Sequence, residues 1–268
     1  MYTHYAVSFA YGRILMSNAA PAAALVAHAL NKSYGALAVT RDVSFSVPEG
    51  GALGIIGPNG AGKTTLFNLI TGTVRADSGH ITLFGDDLTR LDARRRCVAG
   101  IARSFQVPQP FTGLSAYENV LIAAAFGRGL SEKAARPHAR EALKVTGLAR
   151  TADVMAGTLT LLDRKRLELA RALATGPRLL LLDEIAGGMT EAECHELIGL
   201  IRRIRASGVT IVWIEHVLHA LLPVVDRILV LDFGKVIAEG PPDTIMTDPH
   251  VTSVYLGPDE SQDAEAGA

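Results

Sequence analysis

The fold of this chain is decided by the stretch Gly57-Pro58-Asn59-Gly60-Ala61-Gly62-Lys63-Thr64-Thr65. It follows the apolar run 52–56 and precedes the amphipathic run 66–70, a context that predicts a strand, a glycine-rich loop and a helix. The glycines allow backbone N–H groups to turn inward around a polyphosphate, and the helix N-terminus adds a partial positive charge. Lys63 would reach the β- and γ-phosphates, and the Thr64 hydroxyl would ligate Mg²⁺. The stretch therefore predicts a nucleoside-triphosphate site.

Composition and charge are typical of a folded globular protein without a nucleic-acid partner. The 268 residues are 49% hydrophobic and 20% charged, which allows a sizeable core and excludes wholesale disorder. The formal net charge is −1 and no long basic stripe is present, so we expect no nucleic-acid partner. Cys97 and Cys194 lie far apart without metal-ligand spacing, which favours two reduced, ordinary thiols.

No stretch approaches the roughly 20 consecutive apolar residues that a membrane-spanning helix requires. The best candidate, residues 19–30, is short and is interrupted by Pro21 and His28. The start of the chain lacks the charged region of an export signal. We therefore expect any membrane association to come through a partner.

The order of patterns along the chain predicts an α/β core with an inserted helical subdomain. Strands alternating with helices favour a mainly parallel sheet with an antiparallel edge. The expected divisions are an N-terminal extension at 1–23, a core at 24–106 and 164–245, a helical subdomain at 107–163 and a C-terminal tail at 246–268.

Individual elements follow from periodicity. Alternating or continuous apolar residues predict strands at 37–47, 52–56, 80–84, 179–182 and 210–214, and a hairpin over 227–238. Helical spacing predicts a helix that begins near Asp163 and another over 191–206. The region 116–147 is also helical, with breaks predicted at 127–129 and at Pro137.

A second chemical constellation follows the predicted strand 179–182. Asp183 and Glu184 come at its end, and a buried parallel strand delivers its last residues to the carboxyl edge of the sheet, where ligands of α/β proteins sit. Asp183 would there hold Mg²⁺, directly or through water, and Glu184 would polarise the attacking water as a general base. The alternative is a solvated acidic turn, which the phosphate-binding loop makes the less favoured interpretation.

Two further polar residues lie where they could complete the site. His216 follows the strand 210–214 at the same edge of the sheet, where a histidine can hydrogen-bond a γ-phosphate; most histidines at strand ends are structural. Gln106 lies at the junction of the core and the helical insert, where it could bridge a metal or water to a mobile element. By itself, such a glutamine is more often a surface residue.

Together these motifs resemble the ATP-binding cassette (ABC) ATPases over roughly residues 25–257, and within them the ATP-binding subunits of branched-chain amino acid importers. The loop 57–65, Gln106, the acid pair and His216 occur in that family's order and approximate spacing. Further matching stretches are Gly60–Asn68, Gly100–Gln106, Leu181–Glu184, Ile214–His216, Glu239–Pro242 and Tyr255–Gly257.

The resemblance implies a site and a set of partners. Tyr34 matches the aromatic residue on which the family stacks adenine, so the nucleotide would be ATP, with Mg²⁺ held by Thr64, Gln106 and Asp183. Two cassettes, identical or not, would close head to tail around two ATP molecules. Transmembrane permease subunits would dock near the glutamine and the helical insert, and a solute-binding protein would take part indirectly. The chain would lie peripherally on the cytoplasmic side of the plasma membrane.

The sequence departs from the family in the signature loop that would serve the partner's ATP. The family pattern Leu-Ser-Gly-Gly-Gln is replaced by Leu159 and the residues Thr160, Leu161, Leu162 and Asp163. Leu162 stands where the family has a glycine, so its side chain would obstruct close approach or a required positive φ. This predicts a heterodimer in which ATP on this chain is hydrolysed and ATP on the partner turns over slowly.

Three classes of function stay open. The first is the energy-coupling ATPase subunit of an importer for branched-chain amino acids, other amino acids, urea-like amides or aromatic acids. The second is a hydrolysis-impaired regulatory ATP-binding subunit. The third is a cassette acting on ribosomes or DNA, which neither the single cassette nor the near-neutral charge supports. The reactions of the cassette are the same for export as for import.

Overall fold

The computed structural model describes residues 22–256. Its strands are β1 (Ala23–Tyr34), β2 (Leu37–Pro48), β3 (Ala52–Ile56), β4 (Ser78–Leu83), β5 (Asp86–Asp87), β6 (Ile101–Arg103), β7 (Leu179–Asp183), β8 (Thr210–Ile214), β9 (Arg227–Asp232) and β10 (Lys235–Gly240). Its α-helices are α1 (Lys63–Thr71), α2 (Ala93–Val98), α3 (Ala116–Arg128), α4 (Glu132–Val145), α5 (Leu161–Ala174), α6 (Glu191–Ala206), α7 (Leu218–Leu221), α8 (Pro242–Met246) and α9 (Pro249–Leu256). Short 3₁₀ helices occupy Ala149–Thr151 and Ala156–Thr158. The predicted extension at 1–23 lies outside the described residues except for its last two.

The central sheet has the strand order β10-β9-β3-β8-β7-β6. All neighbours pair in parallel except β10, which pairs antiparallel with β9 through the predicted hairpin. Every residue of β3, β7 and β8 is buried, which explains why these strands are continuous apolar runs. The predicted mainly parallel sheet with an antiparallel edge is confirmed.

A second sheet is antiparallel and has the order β2-β1-β4-β5. The strands predicted at 37–47 and 80–84 are confirmed as its β2 and β4, whereas β1 and β5 were not predicted. Leu66 and Phe67 of α1 belong to one buried cluster that also contains Leu25 of the second sheet and Ile55 of the central sheet. Helix α1 therefore lies between the two sheets. The helix that follows the glycine-rich loop is thus packed on both sides. On the opposite face of the central sheet, α5 and α6 cover a separate cluster.

The region between β6 and β7 is helical, as predicted. Alanines of α3 and α4, together with Leu167 and Ala170 of α5, form a third buried cluster. Other residues of α5, Leu169 and Ala172, pack in the cluster of the central sheet. Helix α5 therefore contacts both the helical region and the sheet.

The predicted break at Pro137 is wrong, because α4 continues through this residue. A proline inside a helix removes one backbone hydrogen bond, and here the apolar face of α4, including Ala135, Ala139 and Leu143, is buried against its neighbours. The break between α3 and α4 is confirmed at Gly129, which ends α3 in the left-handed conformation.

No helix within residues 22–256 combines the length and the apolar character needed to cross a bilayer. The predicted C-terminal tail contains α9 as far as the chain is described.

Candidate nucleotide-binding site

The glycine-rich loop connects β3 to α1 and leaves the start of the helix free to receive an anion. Gly62, the N-cap, has φ 100° and offers no side chain, and the first turn carries no acidic residue. In α3 and α6, by contrast, Ser115 and Thr190 cap the first turn through their hydroxyls. The uncapped N–H groups of α1 fit a phosphate group.

Two glycines of the loop are required by close packing. A Cβ on Gly62 would lie 2.5 Å from the carbonyl oxygen of Val39 in β2. A Cβ on Gly57, where φ is 152°, would collide with the carbonyl oxygen of Leu231 in β9. The loop is therefore held between the second sheet and the hairpin, with Asn59 and Gly60 exposed at its tip.

Lys63 is buried at the start of α1 and its ammonium group lies inside the loop. Nζ donates to the carbonyl oxygens of Gly57 at 2.7 Å and Pro58 at 3.0 Å. Burial lowers the pKa of Lys63, while the nearby charges of Glu184 and Asp183 raise it. The predicted lysine and the predicted acid pair therefore lie in one site.

Asp183 ends β7 at the carboxyl edge of the sheet and is paired with an arginine that the sequence analysis missed. Arg103 Nη2 donates to Asp183 Oδ2 at 2.5 Å, and both side chains are buried. Arg103 Nη1 donates to Asn68 Oδ1 at 2.7 Å, and its guanidinium lies over the rings of Phe67 and Phe105. The signal in the sequence was an arginine that ends a short apolar run just before Gln106.

Glu184 lies between the two other predicted polar residues. Gln106 Nε2 donates to Glu184 Oε2 at 2.6 Å, and His216 Nδ1 lies 3.7 Å from the same oxygen. Glu184 has φ 45°, a conformation that non-glycine residues adopt infrequently and that is found at functional sites. The structure thus brings Gln106, Glu184 and His216 together.

The oxygen donors available at the site fit Mg²⁺. Thr64 is exposed in the first turn of α1, and Asp183 and Gln106 would supply a carboxylate and an amide oxygen. Within the described part of the chain, no group of three or more His, Cys, Asp or Glu residues could hold a metal ion. Mg²⁺ does not need such a group, because it binds one or two carboxylates and completes its shell with phosphate and water.

Tyr34 lies at the end of β1, paired with Leu37 across the turn to β2, and its ring is half exposed. Lys32 Nζ lies 5.4 Å from the ring centroid and donates to Asp77 Oδ1 at 2.7 Å. The same β2 strand contacts the phosphate-binding loop at Val39. Tyr34 therefore lies at a turn of the sheet that supports the loop.

The signature residues form the first turn of α5. The Thr160 hydroxyl accepts the N–H of Asp163 at 3.2 Å and caps the helix, and Leu161 is exposed. Leu162 is helical, so the expectation that this position requires a positive φ is wrong: an α-helix takes a branched side chain without strain. That the Leu162 side chain obstructs close approach stays a prediction.

Comparison with known proteins identifies the family. The family model described as ABC transporter matches residues 40–187, from β2 to the loop after the acid pair. A second model, described as branched-chain amino acid ATP-binding cassette transporter, matches residues 235–257.

Similar proteins include both export and import components. The chain is 39% identical to the lipopolysaccharide export system ATP-binding protein LptB of Acidithiobacillus ferridurans, over 87% of this chain and 96% of that protein. It is 35% identical to the high-affinity branched-chain amino acid transport ATP-binding protein BraF of Pseudomonas aeruginosa, over 85% of this chain and 95% of that protein.

Solved structures agree with the fold. A nucleotide-free ATP-binding cassette from an ABC transporter matches with a TM-score of 0.82 and 30% identity, over 88% of this chain and 100% of that one. An ATP-binding cassette of an ABC transporter in its ADP conformation matches with the same TM-score and 31% identity, over 88% and 99%. The chain therefore belongs to the ABC transporter family as an ATP-binding subunit, a class of protein that hydrolyses ATP.

Proposed function

We propose that this chain drives an importer of branched-chain amino acids or a related small polar solute. The observation that carries the proposal is the match of residues 235–257, which comprise β10, α8 and α9, to the model of branched-chain amino acid transporters. The similarity to BraF over most of both chains supports it.

The roles of the site residues are part of this proposal. Tyr34 stacks on adenine, and the loop 57–65 holds the phosphates through backbone N–H groups and Lys63. Glu184 takes a proton from the attacking water, and His216 hydrogen-bonds the γ-phosphate.

Thr64, Asp183 and Gln106 would hold Mg²⁺, which when bound neutralises phosphate charge. Gln106 Nε2 donates to only one oxygen of the Glu184 carboxylate, so the other oxygen can accept a hydrogen bond from the attacking water. Gln106 is thus suited to orient the base.

The site is completed by a second cassette. In a heterodimer, the signature loop of the partner covers ATP bound to this chain, while Leu162 approaches ATP bound to the partner and slows its turnover. The complex would lie on the cytoplasmic side of the plasma membrane, attached to permease subunits.

The cleft between the core and the helical region supports permease docking. It has a volume of about 280 Å³ and is lined by residues of α1, α2, β6, α3 and α5, among them Cys97, Ala123 and Arg171, and by Phe105 just after β6. Phe105 is half exposed in this cleft and precedes Gln106, so an apolar segment of a permease bound there would contact the residue next to the glutamine.

The test is reconstitution. The tagged chain is purified with its membrane subunits, placed in vesicles with the solute-binding protein, and assayed for ATP-driven uptake of labelled leucine and valine. Uptake that disappears in Glu184→Gln supports the proposal. An ATPase-active complex that takes up neither amino acid contradicts the substrate assignment.

A second candidate is export of a glycolipid, favoured by the similarity to LptB proteins. The same vesicles distinguish it, because an exporter would release labelled lipopolysaccharide on addition of ATP and would not need a solute-binding protein.

A third candidate is a regulatory subunit of a complex that binds ATP but hydrolyses little, favoured by Leu162 in α5, which would slow turnover of the partner's ATP. It predicts ATP-dependent dimerisation with little ATPase activity even when every partner subunit is present. If the assembled transporter behaves in this way and Glu184→Gln leaves its low ATPase unchanged, this candidate replaces the first.

A further inference from the structure

Glu215 is a buried carboxylate without a role in the proposed chemistry. It follows β8, and its side chain is fully buried. Its Oε1 accepts the N–H groups of His216 at 3.0 Å and Val217 at 3.2 Å, and its Oε2 accepts the N–H of Ala186 at 3.0 Å. Three backbone donors offset the cost of burying the charge. One carboxylate thus joins the segment of His216 to the loop that follows Glu184.

Lys165 is a buried cation that holds the same loop. It lies on α5, and its Nζ donates to the carbonyl oxygens of Ile185 and Gly187, each at 2.6 Å. Burial lowers the pKa of Lys165, and the nearby charge of Glu215 raises it. The two charges are therefore close enough to influence each other.

The two side chains bind opposite ends of one peptide group. The carbonyl oxygen of Ile185 accepts from Lys165, and the N–H of Ala186, in the same peptide unit, donates to Glu215. Because C=O and N–H point in opposite directions across a trans peptide, the cation and the carboxylate hold this unit from two sides. The unit begins one residue after Glu184.

We propose that Lys165 and Glu215 are positioning residues that clamp loop 185–189 and so link the position of α5 to Glu184 and His216. This inference rests on the proposed roles of Glu184 and His216. The first turn of α5 faces the partner's nucleotide in the proposed dimer, and Lys165 lies in the next turn of the same helix. A shift of α5 therefore moves the carbonyl groups beside Glu184. Closure of the dimer around the partner's nucleotide would in this way adjust Glu184, the general base for the nucleotide bound to this chain.

Amide hydrogen exchange of the full-length chain tests the link. Lys165→Met removes the ammonium but keeps the length of the side chain, and Lys133→Met, on the exposed face of α4, is the matched control. We expect exchange to rise at least about tenfold not only at Ala186 but also at His216 and Val217, whose N–H groups bind Glu215 and not Lys165. If exchange rises at residues 185–189 alone, the two side chains act separately and the proposal is wrong.

Kinetics of the complex with its partner subunits give a second readout. Lys165→Met should lower kcat for ATP about ten- to a hundredfold, as displaced catalytic groups do, with KM within about twofold. Glu215→Gln keeps the shape of the side chain and removes its charge, and it should likewise lower kcat while KM stays within about twofold. An unchanged kcat in both variants overturns the proposal. If the wild-type complex hydrolyses ATP but takes up no solute, the proposed import function is contradicted. The hydrogen-exchange and ATPase measurements still test the roles of Lys165 and Glu215 in that case.

Discussion

Replacing Arg103 by methionine should destabilise the nucleotide-free chain more than any change to a surface ion pair. Arg103 and Asp183 are both about nine-tenths buried and lie 2.5 Å apart. Arg103→Met keeps the aliphatic stem of the side chain but leaves the Asp183 carboxylate buried without its main partner. It also removes the hydrogen bond to Asn68 and the contact of the cation with two aromatic rings.

The magnitude follows from the burial of the pair. Removing one partner of a buried ion pair costs about 3–5 kcal/mol of unfolding free energy. The positive charge of Lys63 also lies near Asp183, so the lower end applies, about 3 kcal/mol. For a chain of this size that corresponds to a decrease in Tm of about 6–12 °C.

Urea denaturation, with thermal melting as a second measure, checks this value. The control is Arg136→Met, which breaks an exposed pair with Glu132 and should cost less than about 1 kcal/mol. Adding Asp183→Asn to Arg103→Met should restore at least about 1 kcal/mol, because no unpaired charge remains buried. A loss below about 1 kcal/mol for Arg103→Met, or purely additive effects in the double variant, would refute the reasoning.

Three further changes test other parts of the molecule. Gly62→Ala should raise the Kd for a fluorescent ATP analogue more than about tenfold, because its Cβ would lie 2.5 Å from the Val39 carbonyl oxygen at a φ of 100°; unchanged binding would show that the loop is not held as described. In the proposed heterodimer, Leu162→Gly should raise steady-state ATP turnover severalfold while costing about 1 kcal/mol of helix stability in urea melts. A decrease in turnover would contradict the role given to this side chain. Pro137→Ala should raise the free energy of unfolding by about 1–3 kcal/mol in the same melts, since α4 already continues through this residue. An unchanged free energy of unfolding would contradict the idea that this proline carries a cost inside the helix.

The central sheet was predictable because each of its buried strands can be read from a short stretch of sequence. Strands buried on both faces are continuous apolar runs, and a parallel sheet places their carboxyl ends at one edge. This is why Asp183, at the end of β7, and His216, just after β8, could be expected near Lys63. The phosphate-binding loop also follows from sequence, since glycine is required where a Cβ would meet a neighbouring backbone.

The second sheet was predicted only in part, through β2 and β4, because its first strand, β1, does not alternate regularly. The register of β1 shifts between Ala27 and Leu30, and Ala29 has φ 50°, so the buried positions change their spacing in mid-strand. The alanine-rich composition also weakens the strand signal. The predicted break at Pro137 was wrong for a different reason. Burial of one face of α4 outweighs the tendency of proline to interrupt a helix.

The partners of Asp183 and Glu184 could not be predicted from the sequence, because they lie on a short segment at the border of the core and the helical region. Arg103 holds Asp183 and Gln106 holds Glu184, so the predicted metal ligand and the predicted general base are bound by residues only three positions apart. Phe105, between them, lies in the cleft proposed for the permease. Because one segment contacts both acids and the cleft, a partner bound at Phe105 cannot move the segment without altering the hydrogen bonds of both acids. If a permease segment occupies the cleft as proposed, a displacement of residues 103–106 would be enough to link its binding to ATP hydrolysis.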